Sequence, residues 1–136
     1  MSKVFLDTSY ALALSFQSDA SHAKAKQIAI RLVRDRTVLV TTRSILLEIG
    51  NALSKQSARH QGIALLTALE EEPLVKIIAI SDDLYRRAFD LFRSRLDKEW
   101  GLVDCISCVA MQDEGIDKVL TADKHFQQMG FQALLR

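Results

Sequence analysis

The sequence predicts a three-layer α/β domain on a mostly parallel sheet of about five short strands. Two patterns in its 136 residues predict this. Short apolar or β-branched runs alternate with longer stretches whose apolar positions recur every three or four residues. Strands alternating with helices in this way build parallel sheets flanked by helices. No internal repeat, linker or shift in composition interrupts the alternation, so residues 1–136 read as one domain.

Lys3 to Leu6 reads as the first strand, and Asp7-Thr8-Ser9 ends it before a helix over Tyr10 to Phe16. Standing alone, Asp7 is the type of residue that caps a helix. Gln17 to Ala20 is a polar break. Over Ser21 to Arg34 the apolar positions 25, 28, 29, 32 and 33 form a helical stripe with Lys and Arg opposite it. Arg31, Arg34 and Arg36 read as a solvated face, because no aromatic residues interleave them. Thr37 to Thr41 is β-branched and short, a buried strand, after which Thr42 or Ser44 opens a helix.

That helix, Arg43 to Gln56, holds an anomaly. Ile45, Ile49, Ala52 and Leu53 define its apolar face, and Glu48 lies on the same row, three residues after Ile45 and four before Ala52. A carboxylate on a buried stripe needs a cation, a hydrogen-bond network or a raised pKa. Capping does not explain a mid-helix position, whereas a buried salt bridge to Lys or Arg would.

A further helix over Gln61 to Leu69 ends in the solvated triplet Glu70-Glu71-Glu72, followed by Pro73. Val75 to Ile80 is the third strand, and Ser81-Asp82-Asp83 caps the next helix. Leu84, Ala88, Leu91 and Phe92 are its expected core stripe, with Arg86, Arg87, Arg93 and Arg95 outward. Leu102 to Glu114 is a helix with Asp104 in its first turn, where the helix dipole favours an acid. Small Ser107 and Cys108 beside Asp104 suggest room for a ligand. Gly115 stops that helix, Asp117 to Thr121 is a strand, Asp123 follows it, and Phe131 to Leu135 is a marginal last strand.

Composition narrows the function classes. At 49% hydrophobic and 26% charged, with a formal net charge of +1, the chain is neither disordered nor a nucleic-acid binder acting by charge excess. No apolar run is long enough to span a membrane, and the first residues do not resemble a signal peptide, so a cytoplasmic location is expected. Cys105 and Cys108 form a C-x-x-C, but they sit in an apolar helical pattern without a second pair. None of His22, His60 and His125 has zinc-ligand spacing to them, so buried thiols are the expectation.

Four acids remain. Asp7 and Asp123 follow strands that open on the same edge of a parallel sheet, and Asp104 and Glu48 lie on helices feeding that sheet. Carboxylates sharing a site do not all ionise without a cation. An all-oxygen set of this kind suits a hard ion, Mg²⁺ or Mn²⁺, rather than zinc.

At these residues the chain resembles a known family. F-L-D-T-S, L-L-E-I-G-N-A-L, W-G-L-V-D-C-I-S and V-L-T-A-D-K-H-F-Q-Q-M-G-F are similar, in order and over essentially the whole chain, to a PIN domain, the fold of VapC-type toxin ribonucleases. The last segment is the most specific. The resemblance implies a three-layer α/β/α fold and a site of Asp7, Glu48, Asp104 and Asp123, which would serve both as metal ligands and in catalysis, with hydroxyl support from Thr8 or Thr121. It further implies Mg²⁺ or Mn²⁺ as cofactor, RNA as substrate, a small antitoxin protein as partner, and a homodimer. Lys124, His125, Arg43 and Lys3 lie beside the acids and could guide the RNA backbone.

Other readings have distinct signatures. An aspartyl-phosphate phosphatase would carry D-x-D after the first strand, where this chain has Asp7-Thr8-Ser9, and a receiver domain would place paired acids there. Within the resembling family, an RNA-processing nuclease without an antitoxin and a non-catalytic metal-binding scaffold are the alternatives.

Overall fold

A computed structural model describes residues 2–136. Five parallel strands, β1 (Lys3–Leu6), β2 (Val38–Thr42), β3 (Val75–Ile78), β4 (Lys118–Leu120) and β5 (Gln132–Ala133), form one sheet in the order β3-β2-β1-β4-β5. Seven helices connect them among the described residues: α1 (Thr8–Ser15), α2 (His22–Arg34), α3 (Arg43–Ala52), α4 (Arg59–Glu71), α5 (Asp82–Ser94), α6 (Leu102–Glu114) and α7 (Lys124–Gln128). The alternation of elements matches the expected one throughout.

The strand order decides where a site forms. From β1 the chain steps outward to β2 and then β3, and afterwards returns past β1 to place β4 on its other side. With right-handed crossovers the helices after β1 and β2 fall on one face and those between β3 and β4 on the other. Between β1 and β4 the connections diverge, so a crevice opens beyond their carboxyl ends. Asp7 and Asp123 stand there.

The core explains why this geometry is fixed. Phe5, Val40, Val119 and Leu120 are buried in the sheet, and Ile45, Ile49, Met111 and Phe126 close over it from α3, α6 and α7. A second cluster joins α5 to α6 through Leu84, Ala88, Trp100, Cys105, Ile106 and Val109. Arg87 in the middle of α5 bonds Asp113 near the end of α6 at 2.8 and 2.9 Å and ties the two helices together at the surface. Gly62 brings α4 against the end of α3, where a Cβ would approach Leu53 Cβ to 2.9 Å; this contact fixes the helix that carries Glu48.

Some expectations shift. β2 begins and ends one residue later than predicted, and α3 stops at Ala52 rather than Gln56. Phe92 is not core: it is 43% exposed and stands in an outward row with Tyr85 and Phe89. Leu84 and Ala88 already fill the contact with α6, so the second apolar stripe of α5 is left outside. Val33 likewise faces out from α2. Ser107 and Cys108 are both buried, and neither lines the cavity that Asp104 faces. Burial pushes the thiols of Cys105 and Cys108 up to about 11, which makes them poor nucleophiles and metal ligands.

Candidate active site

Asp7 occupies the N-cap position of α1, yet its side chain makes no capping bond. Its backbone N–H instead donates to Leu120 O across the crevice at 3.3 Å, and its carboxylate turns the same way. Oδ2 accepts from Thr121 Oγ1 at 2.7 Å and lies 3.1 Å from Ser9 Oγ. Those hydroxyls are themselves anchored: Asp123 N–H donates to Thr121 Oγ1 at 3.0 Å, and Ala122 N–H to Ser9 Oγ at 3.1 Å. Ser9 and Thr121 thereby stitch the turn after β4 to the turn after β1. The capping expectation for Asp7 fails because this network outcompetes the helix end for its oxygens.

With 6% of its surface exposed, Asp7 is the most buried of the four acids. Burial pushes its carboxyl up to about 6, although hydrogen bonds from Thr121, Ser9 and the Thr8 backbone pull the other way; the Asp104 charge adds to the rise.

Glu48 is half-buried on α3, and its Oε1 accepts from Thr8 Oγ1 at 2.6 Å. Among the described residues it forms no ion pair, so the buried salt bridge expected as its ordinary explanation is absent. A hydroxyl satisfies one oxygen and leaves the charge uncompensated. Thr8 and Thr121 therefore both act as hydroxyl supports, one for each acid.

Asp104 is the third residue of α6, and its Oδ2 accepts from Gly101 N–H at 3.1 Å. This is the acidic half of a capping box, whose other half Gly101 has no side chain to supply. Asp123 caps α7 through Oδ1, which accepts His125 N–H at 2.9 Å. Each of these acids thus has a structural task, but the tasks do not account for their meeting. Ligand atoms of Asp104, Asp123 and His125 lie within 4.8 Å of one another.

All four carboxylates line one open cavity of about 590 Å³, together with Thr8, Ser9, Asn51 and His125. Among the described residues, no Lys or Arg stands on its wall. Four acids facing one space, one of them with its pKa raised partly by another, form an oxygen-rich set that fits a hard divalent cation. His125 stands at the edge of this set, its Nδ1 beside Asp104 and Asp123.

Of the cations expected to guide RNA, Lys3 sits at the amino end of β1, away from the crevice, and pairs with Glu114 at 3.9 Å, and Arg43 turns away to Glu70. Lys124 is exposed beside Asp123. Asn51 and Ser9 escaped the sequence reading as site residues. Asn51 lies three residues after Glu48 and Ser9 two after Asp7, so spacing alone could have brought them in.

Comparison with known proteins agrees with this arrangement. The PIN domain family model matches residues 4–132. The 23S rRNA-specific endonuclease VapC20 of Mycobacterium tuberculosis is 26% identical over 128 residues, covering 94% of this chain and 95% of that protein. The crystal structure of VapC20, described as a sarcin-ricin loop cleaving toxin, superposes with a TM-score of 0.82 at 26% identity, covering 94% of this chain and 95% of that one. VapBC2 from Rickettsia felis, bound to a promoter DNA fragment, has a TM-score of 0.69 at 14% identity, with 96% of each chain covered. A parallel sheet ordered β3-β2-β1-β4-β5, an acid-lined crevice at its turning point and a family match over nearly the whole length lead to one assignment: this chain belongs to the PIN domain family.

Proposed function

We propose that the chain is a divalent-metal-dependent endoribonuclease, the toxin of a type II toxin–antitoxin pair, with Asp7, Glu48, Asp104 and Asp123 as its metal-holding and catalytic residues. The observation that carries this reading is the cavity itself, with four acids and, among the described residues, no Lys or Arg on its wall, in a PIN domain. The similarity to VapC20, an endonuclease acting on 23S rRNA, supports RNA as the substrate class and makes ribosomal RNA the first substrate to test.

A bound Mg²⁺ or Mn²⁺ would acidify a water and draw charge off the scissile phosphate. The protein's own part is preorganisation. Thr121 and Ser9 hold Asp7, Thr8 holds Glu48, and the starts of α6 and α7 hold Asp104 and Asp123, so the ligands need little rearrangement. Asn51 on the cavity wall offers a neutral amide donor for a phosphate or ribose oxygen, in a place where a fixed cation would compete with the metal.

In the test, purified protein is incubated with ribosomal RNA, Mn²⁺ or Mg²⁺, and then with excess EDTA. Discrete cleavage that EDTA abolishes and added ion restores is the expected result. Cleavage that survives chelation, or Asp104→Asn protein as active as wild type, would refute the reading.

Three further parts belong to the same proposal. The chain is one PIN-like domain over residues 1–136 and acts in the cytoplasm; among the described residues no helix is long and apolar enough to cross a membrane. A small antitoxin neutralises it, so expression without that partner arrests growth; harmless expression of active protein would count against this. It assembles as a homodimer, for which the outward Tyr85, Phe89 and Phe92 row of α5 offers an apolar face. Sedimentation velocity at micromolar concentration distinguishes dimer from monomer.

A further inference from the structure

Asp104 and Asp123 come from different helices, both carry negative charge, and each is held by only one backbone N–H. Like charges this close drift apart unless a donor bridges them. His125 stands between them: Nδ1 lies 3.2 Å from Asp104 Oδ2 and 3.3 Å from Asp123 Oδ1. Ionised carboxylates only accept hydrogen bonds, so Nδ1 carries the hydrogen, donates it to Asp104 Oδ2 and faces Asp123 Oδ1 with the same edge of the ring.

The pattern of acceptors adds a second observation. Both donors to Asp104 meet Oδ2, and the His125 backbone N–H meets Asp123 at Oδ1, the same oxygen that Nδ1 faces. Among the described residues, Asp104 Oδ1 and Asp123 Oδ2 accept no hydrogen bond. One oxygen of each acid is committed to the protein and one is left over for a ligand. From this we infer that His125 is a positioning residue: it draws together the committed oxygens of Asp104 and Asp123 and so presets the spacing of the two free ones for a divalent ion. The inference rests on the metal-dependent reading above and assigns His125 the outer role that hydrogen-bonding partners of metal ligands play elsewhere.

The architecture makes this role separable from folding. Phe126 is wholly buried, and Gln128, three residues after His125 on the same face of α7, accepts from Trp100 Nε1 at 2.9 Å. These contacts keep α7 docked beside α6 when the imidazole is removed.

The experiment titrates Mn²⁺ into wild-type, His125→Ala, His125→Asn and His125→Gln protein by calorimetry, with ion-free melting temperatures recorded alongside. The Asn amide places an N–H close to the Nδ1 position, whereas the Gln amide reaches the Nε2 position. His125→Ala should bind Mn²⁺ about 10- to 100-fold more weakly. His125→Asn should recover most of that loss and His125→Gln little of it, while melting temperatures stay close to wild type. Undiminished binding by His125→Ala overturns the inference, as does better recovery by Gln than by Asn. A nitrogen directly coupled to Mn²⁺ in pulsed electron paramagnetic resonance, absent from His125→Ala, also overturns it by making His125 a ligand. Asp104→Asn separates the two levels: if it too binds Mn²⁺ normally the metal site itself is wrong, whereas if it fails while His125→Ala binds, only the role of His125 is wrong.

Discussion

Asp7→Asn is expected to raise the melting temperature of the ion-free protein while lowering RNA cleavage at least about a hundredfold. The stabilisation follows from the raised pKa. Below its ordinary value of 3.8 the carboxyl is protonated in both folded and unfolded chains, and it contributes nothing. Between 3.8 and about 6 the folded chain keeps a proton that the unfolded chain has released, so stability falls as pH rises through that window. Above it the full cost remains, about 3 kcal/mol for a rise from 3.8 to about 6. Asn is neutral, and its carbonyl still accepts from Thr121, but its amide hydrogens need a partner of their own. The net gain is therefore smaller, about 1–2 kcal/mol, or a rise of about 3–8 °C. Differential scanning calorimetry in EDTA at pH 7.5 measures it. A fall in melting temperature would show that Asp7 contributes to the fold rather than opposing it.

The second large effect is on ion binding. Mn²⁺ affinity should be level above pH 6 or so and weaken by up to tenfold per unit below it, because a protonated Asp7 must release its proton before it can serve as a ligand. Calorimetry in buffers of differing ionisation enthalpy reads the proton directly: release on binding at pH 5.5, and almost none at pH 8. Thr121→Val tests the assignment to Asp7. The Thr121 hydrogen bond lowers the Asp7 pKa, so its loss should move the break to higher pH. An affinity that stays flat from pH 5 to 8, or a break that moves down in Thr121→Val, would rule Asp7 out as the controlling group.

Together these results would describe a site kept at the expense of stability. Three hydrogen bonds do not bring Asp7 back to an ordinary pKa, because none of them carries a positive charge. Lys and Arg are present nearby in sequence but, among the described residues, absent from the cavity wall. Arg43 follows β2 directly and turns to Glu70, leaving Glu48 with only the Thr8 hydroxyl. An ion is the missing charge that would balance the set.

The sequence alone determined the order and type of elements, because apolar period and turn chemistry are local properties. Ser81 caps α5, Gly115 ends α6 in a left-handed conformation, and Thr42 caps α3, each where the sequence places it. Mid-helix Glu48 was legible for the same reason: a carboxylate on an apolar row breaks a local rule. Where each side chain points was not legible. Asp7 and Asp104 read as helix-start acids and Asp123 as an acid past a strand end; the first does not cap at all, while the other two do so and still reach the cavity. That distinction depends on Thr121 lying across the crevice from Asp7, a separation of 114 residues that no local pattern records. His125 likewise acquires a role only when α7 docks beside α6, and Phe92 loses one because Leu84 and Ala88 have already filled the α5–α6 contact. Local spacing sets which residues share a helix face or a strand end. Only the packing of β4 against β1, and of α6 and α7 beside them, decided that four acids share one cavity and that His125 joins them, because burial and charge–charge repulsion act through space rather than along the chain.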